Sequence, residues 1–180
     1  MNYDACHFAV EFEEPQSALS ALAQHGIKIS KIHLSSALKT RPTPEAREAL
    51  AKSADDVYLH QVAARDAAGK SKFYRDLPDA LFFRDPKSRT PDPIPPEWRI
   101  HFHVPLHRPA MPPFDNTNDH LLCTLDVLAA NPKLCSHLEM ETYTWEVLPP
   151  ELKTRSVVKQ LAAEYGWTLA RLVERGLASR

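Results

Sequence analysis

Two histidines one residue apart, His101 and His103, are the first candidates for chemistry in this sequence. They lie in a β-rich run, residues 99–106, where strand geometry points both imidazoles to one face and Ile100 and Phe102 to the other. Imidazole is a common ligand of zinc and similar divalent ions, and an H-x-H pair on a stiff strand lets both rings converge on one ion. The alternative interpretation is two histidines on a half-exposed strand without a ligand.

Three more predicted strands carry side chains of the types that bind metals. They cover residues 3–10, 27–34 and 137–145, and the side chains are Asp4, His7, His33, Glu139 and Glu141. A helix predicted from Pro15 to His25 separates the first two strands, and this order is typical of a parallel α/β sheet. The carboxyl ends of parallel strands share one edge, so we expect these groups to meet there. Taken singly, His7 and His33 suit a hydrogen-bonded core equally well, and Glu139 suits solvent.

Mixed histidine and carboxylate ligands favour zinc or manganese over a closed thiolate site. The three cysteines fit no C-x-x-C pattern, which indicates reduced thiols and a cytoplasmic protein. Among them, Cys6 lies beside candidate ligands, although packing is the simpler role for it. The sequence therefore predicts a divalent metal site built from imidazole and carboxylate groups.

Size and composition limit the remaining choices. The chain has 180 residues, 43% of them hydrophobic and 25% charged, which suits one globular domain. A net charge of −1 without a lysine and arginine stripe disfavours nucleic acid as a partner. The sequence has neither a signal-peptide pattern nor an apolar run long enough to span a membrane.

A long excursion interrupts the order of strands and helices. Residues 39–97 contain a predicted helix at 44–54, two β-like runs at 57–63 and 71–74, and a proline-rich loop at 86–96. We predict an inserted helix and β-hairpin there, within one domain that covers residues 1–180. Two further amphipathic helices follow, one capped by Asn116 or Thr117 and one opened by Pro149 and Pro150.

Four motifs together resemble the xylose isomerase-like TIM-barrel superfamily, which includes sugar-phosphate isomerases and epimerases and the zinc-dependent apurinic endonucleases. They are DACH (residues 4–7), HLSS (33–36), HFH (101–103) and LEMET (138–142), which contains Glu141. Within that superfamily the strings HFHVPL (101–106), YLHQVAARD (58–66) and ETYTWEVLPPEL (141–152) are similar to the EboE family of metabolite traffic proteins. The resemblance covers most of the chain.

The resemblance implies a fold and a set of roles. The fold is a partial (β/α)8 TIM barrel, about its C-terminal half, with roughly four βα units. The implied metal ligands are Asp4, His33, His101, His103 and Glu141; Glu141 and Glu139 are the implied catalytic carboxylates, and His7 and Trp145 are implied to bind substrate. One departure is His101, which stands where multinuclear members have an aspartate, and this puts a third metal in doubt.

A second departure is the glutamate that the superfamily supplies from earlier barrel strands, which this sequence does not contain. A complete barrel takes about 250 residues, and half of one leaves open sheet edges. We therefore expect either a homodimer, a separate N-terminal half barrel as partner, or a truncated version of a longer protein. The chain alone is then expected to be inactive.

Three functions follow from the resemblance. The first is a metal-dependent isomerase or epimerase that acts on a small polar metabolite such as a sugar or sugar phosphate. The second is a non-enzymatic protein that binds and hands over a biosynthetic intermediate, for which Phe102, Tyr143 and Trp145 are either ring-binding or ordinary packing residues. The third is phosphodiester hydrolysis, which the neutral charge disfavours.

Overall fold

The computed structural model describes residues 1–52, 58–83, 94–141 and 156–179. Within these ranges the chain forms a three-stranded and a five-stranded β-sheet with six helices. The strands are β1 (Asn2–Asp4), β2 (Lys31–Leu34), β3 (Ala37–Thr40), β4 (Val62–Arg65), β5 (Ser71–Tyr74), β6 (Glu97–His103), β7 (Phe114–Asn116) and β8 (Leu138–Met140). The helices are α1 (Ala5–Val10), α2 (Pro15–Gln24), α3 (Pro44–Ala51), α4 (Leu77–Phe82), α5 (Asn118–Ala130) and α6 (Val157–Glu174).

The three-stranded sheet is parallel, in the order β1-β2-β8. Its register places Asp4 beside His33 and His33 beside Glu139. Tyr3 and Ile32 alternate with these polar residues and are fully buried on the opposite face, in a core that α2, α5 and α6 cover. The polar face of the sheet is thus separate from its helix-covered face.

The five-stranded sheet is antiparallel, in the order β5-β4-β6-β3-β7. Its own core contains Trp98, Ile100 and Phe102 of β6, on the face that packs under α3 and α4. An irregularity between Ala37 and Leu38 pairs these two residues with His103 and Ile100, so β6 carries extra residues at its end. Bulges of this kind bend a strand and redirect its side chains.

A smaller cluster connects the two sheets through α1. It contains Cys6, Val10 and Phe12 from the first helix and its end, together with Ala37 of β3 and Ala63 of β4. Small alanines on both sheet strands let α1 approach the antiparallel sheet closely. This helix therefore holds the end of β1 next to the end of β6.

Several predicted elements are confirmed: the helix from Pro15, the helix from Pro44, the short strand at residues 71–74 and the H-x-H strand. The predicted strand over residues 3–10 is wrong, because only Asn2–Asp4 is extended and Ala5–Val10 is helical. Asp4 caps that helix through its side chain, and capping favours helical over extended geometry for the residues that follow.

The expected neighbours of the H-x-H strand were also wrong. We predicted β6 in the parallel sheet, but β6 pairs in antiparallel fashion with β3 and β4. The class of mixed α/β protein is confirmed, whereas the parallel strands form no closed barrel among the described residues. No helix in the same ranges is long and apolar enough to cross a membrane.

Candidate metal centre

Asp4 is the first residue of the candidate site, at the carboxyl end of β1. Its Oδ1 accepts hydrogen bonds from the backbone N–H groups of Cys6 at 3.0 Å and His7 at 3.2 Å, and from Oγ of Ser35 at 2.8 Å. Burial raises the pKa of Asp4, but the hydrogen bonds from Ser35 and His33 outweigh it and leave that pKa below its usual value. Asp4 is therefore a fixed, ionised carboxylate at neutral pH.

His33 lies beside Asp4 on the neighbouring strand β2. Its Nδ1–H donates to Oδ2 of Asp4 at 3.1 Å, and the same nitrogen is 4.0 Å from Oε2 of Glu141. The parallel register of β1 and β2 explains the first contact, since in-register residues on adjacent strands point to the same side. An ion bound here would take the place of the proton that His33 shares with Asp4.

Glu141 completes this group from the residue after β8. Its Oε2 is buried and makes no hydrogen bond to a described residue. Burial, and next the negative charge of Asp4, raise the pKa of Glu141 to about 7. A buried carboxylate oxygen without a donor, next to a second carboxylate, is the environment that a divalent cation relieves.

These three residues can hold one ion together. One ligand atom from each of Asp4, His33 and Glu141 lies within 4.8 Å of the other two. Two carboxylate oxygens and one imidazole nitrogen suit zinc, manganese or a similar divalent ion, and three protein ligands leave positions open for substrate or water. Our prediction that these residues meet at the carboxyl ends of parallel strands is confirmed for β1, β2 and β8.

A second group of candidate ligands lies at the end of β6. Nε2 of His101 is 3.1 Å from Nε2 of His103, so the two imidazoles share one face of the strand as predicted. Burial lowers the pKa of His101 to about 3 and that of His103 to about 4, which keeps both rings neutral at physiological pH. The thiol of Cys6 lies within 4.8 Å of a ring nitrogen of each histidine.

The other predicted site residues are less central. His7 is exposed and places its ring 4.1 Å from the ring of His101. Glu139 is exposed, and Oε2 of its carboxylate accepts from Nζ of Lys31 at 2.8 Å. That placement suits a surface ion pair, so an acid–base role for Glu139 stays a prediction. Trp145 and Tyr143 lie outside the described residues.

The structure adds two site residues that the sequence reasoning left aside or assigned to packing. Ser35, the residue after β2, connects this strand to Asp4 and α1. Its Oγ donates to Asp4 and accepts from the backbone N–H of Cys6 at 3.0 Å. Cys6 is fully buried with its sulfur toward the histidine pair. The sequence signal for Cys6 was its position between two candidate ligands, Asp4 and His7.

Fold and site together define a mixed α/β protein with two adjacent groups of metal-ligating side chains. Comparison with known proteins adds no relative to this description: no protein-family model, curated protein or solved structure matches the chain.

Proposed function

We propose that the chain belongs to a metal-dependent isomerase or epimerase that acts on a small polar metabolite with a carbonyl group, such as a sugar or sugar phosphate. The observation that carries the proposal is the convergence of Asp4, His33 and Glu141 on one point at the carboxyl ends of three parallel strands. The resemblance of these motifs to the xylose isomerase-like superfamily favours the same reaction class, whereas the resemblance to the EboE family of metabolite traffic proteins favours the alternative, a carrier.

The roles follow from the chemistry of each group. A divalent ion held by Asp4, His33 and Glu141 would act as a Lewis acid that polarises a substrate carbonyl. Glu141 would serve as the general base that takes a proton from the carbon next to that carbonyl, because it is the only carboxylate of the three ligands whose buried oxygen has no hydrogen-bond donor among the described residues. As ligand and base it would use its two carboxylate oxygens separately. Asp4, held by three donated hydrogen bonds, serves only as ligand.

We further propose that the parallel sheet is part of a (β/α) barrel. Three features support this: the order β1-β2-β8 with these three strands parallel, a sheet face that α2, α5 and α6 cover, and ligands at the carboxyl ends of the strands. In this arrangement a second copy of the chain, or a separate N-terminal half barrel, adds strands at the sheet edges. It also brings the second acid–base group that inversion at carbon needs.

The experiment follows exchange of the substrate proton. The purified chain, loaded with manganese or zinc, is incubated in deuterated water with a panel of aldoses, ketoses and their phosphates, and the carbon-bound proton is observed by NMR. A single base exchanges the proton that it has taken with the deuterated solvent and returns a deuteron to the same face of the carbon. We therefore expect no net reaction from the chain alone, only metal-dependent exchange without inversion, and net epimerisation only in the completed assembly.

Two variants make the test specific. Glu141→Gln should abolish exchange, whereas Glu174→Gln, which alters an exposed ion pair on α6, should leave it within about two-fold, because such a pair contributes little. Tight binding of a metabolite without exchange in any assembly would instead assign the chain to the carriers. Release of phosphate from a diester would assign it to the phosphodiesterases.

A further inference from the structure

The nitrogen atoms of His101 and His103 are spaced as in a metal site. Two imidazoles bound to one tetrahedral zinc ion, each at about 2.0–2.1 Å, have nitrogens about 3.3 Å apart. The Nε2 atoms of these residues are 3.1 Å apart. Without an ion, one Nε2–H donates to the other Nε2, so a proton occupies the position that an ion would take.

The surroundings keep both histidines in the form that binds metals. Phe102 and Ile100 on the opposite face of β6 are buried in the core, which fixes the strand and therefore the direction of both rings. His103 has 9% of its side chain exposed, and its Nδ1 lies 3.5 Å from Oε2 of Glu141. At this distance Glu141 forms no hydrogen bond with His103, but its negative charge favours a cation bound by the ring.

Cys6 supplies a third ligand of a different type. It is fully buried, and its sulfur lies within 4.8 Å of the ligand nitrogens of both histidines. The backbone N–H of Cys6 donates to Asp4 and to Ser35, which fixes the helical turn that aims the side chain. Two imidazoles and one thiolate form a soft donor set, in contrast to the oxygen-rich group of Asp4, His33 and Glu141.

We propose that Cys6, His101 and His103 form a second metal site that prefers a soft divalent ion, zinc first among them, beside the oxygen-rich site. The chain would then hold two ions of different kind: manganese or zinc in the first site and zinc in the second. This inference concerns a separate set of ligands and stands whether or not the chain catalyses isomerisation. On binding, the thiol proton of Cys6 passes to water and the sulfur binds as thiolate.

Cobalt(II) provides the direct test, because a thiolate ligand gives a charge-transfer band in the near ultraviolet that oxygen and nitrogen ligands do not give. The metal-free chain is titrated with cobalt and, separately, with zinc and manganese, and bound metal is measured by elemental mass spectrometry. We expect two zinc ions per chain, one of which manganese cannot replace, and a thiolate band in the cobalt form.

Matched variants show which cysteine gives the thiolate band of the cobalt form. Cys6→Ser should lose the band and one zinc ion while it keeps the manganese site, and Cys123→Ser, a half-buried cysteine on α5, should keep both. Asp4→Asn retains a good helix cap and should lose the manganese site but keep the band. This pair of results separates failure of the second site from failure of the first.

Circular dichroism and thermal unfolding of each metal-free variant establish that the fold is retained. A wild-type chain that binds cobalt without a thiolate band would overturn the proposal. So would a folded Cys6→Ser variant that holds zinc with the wild-type stoichiometry and affinity.

Discussion

Nδ1 of His103 lies 3.5 Å from Oε2 of Glu141, and this contact joins the end of the antiparallel strand β6 to the end of the parallel strand β8. Glu141 is thus shared: it belongs to the oxygen-rich ligand group and also stands behind a histidine of the other group. An ion in one group changes the charge that the other group meets. Occupancy of the two groups is therefore expected to be coupled.

Glu141→Gln should weaken manganese binding more than about 100-fold, because changes one shell further out already cost about 10–100-fold. Its effect on the zinc site should be smaller, at most about 10-fold, since there Glu141 acts only through its charge at 3.5 Å from His103. Isothermal titration with manganese and then zinc measures both. Glu174→Gln, which alters a half-exposed carboxylate on α6, is the control. Equal manganese affinity in both variants would contradict the assignment.

Ser35→Ala removes the hydroxyl that holds Asp4 in place. We expect a loss of about 10–100-fold in manganese affinity, because a ligating carboxylate loses its orienting hydrogen bond. The buried neighbour Ser36 contacts Thr117 at 3.4 Å instead, so Ser36→Ala should cost stability without a matching loss of metal affinity. The two variants are compared by denaturant unfolding and metal titration, and similar metal affinities would argue against a positioning role for Ser35.

The carboxyl group of Glu164 on α6 should make stability depend on pH without any part of the two candidate metal sites. Burial raises its pKa from 4.5 to about 7 in the folded chain. The folded protein keeps this proton up to about pH 7, whereas the unfolded chain loses it near pH 4.5. The contribution of Glu164 to stability is therefore complete below pH 4.5 and is lost as the pH rises through 7.

Glu164→Gln mimics the protonated form and should remove that loss, which amounts to about 3 kcal/mol at pH 8. The free energy of unfolding, measured by urea titration from pH 5 to 8, gives the difference between variant and wild type. Glu174→Gln on the same helix is the control, because Glu174 is half-exposed and pairs with Arg171 at 3.0 Å. A difference that does not change with pH would be inconsistent with the burial of an ionisable carboxyl group.

Phe12 packs between α1 and the antiparallel sheet and holds the two together. Its φ of 59° is in the left-handed region, and its ring lies 4.0 Å from the guanidinium carbon of Arg65 and 4.2 Å from that of Arg99. We expect Phe12→Leu to cost about 1–2 kcal/mol through lost cation–π contacts, and Phe12→Ala about 3–5 kcal/mol through the cavity as well. Chemical denaturation tests both, and Phe73→Leu, at a half-exposed ring on β5, should change stability by less than about 0.5 kcal/mol.

Sequence pattern was sufficient to predict the candidate ligands that lie on regular strands. The alternation of Ile100 and Phe102 with His101 and His103 fixed which side chains share a face, and β6 confirms it. Alternation contains no information about the direction of the neighbouring strand. The partners of β6 come from distant parts of the chain, so its antiparallel pairing could not be predicted from local pattern.

The strand predicted over residues 3–10 was wrong because its sequence suits both a strand and a helix. The run after Asp4 alternates well enough for a strand, but Ala5, Cys6, Ala9 and Val10 are also buried at helical spacing. The side-chain cap of Asp4 decides between the two in favour of the helix. The role of Cys6 follows from that short helix, which is why the sequence indicated packing for Cys6 and not metal binding.

All five strands of the antiparallel sheet lie between β2 and β8 in the chain. This separation affects the order in which the parallel sheet is expected to form. Asp4 and His33 are 29 positions apart, whereas Lys31 and Glu139, which join β2 to β8, are 108 apart. Closing the longer loop costs about 1 kcal/mol more chain entropy unless the inserted sheet folds first and shortens it. We therefore expect Glu141 to join the site last, so that an ion that arrives earlier meets two of its three ligands until β8 docks.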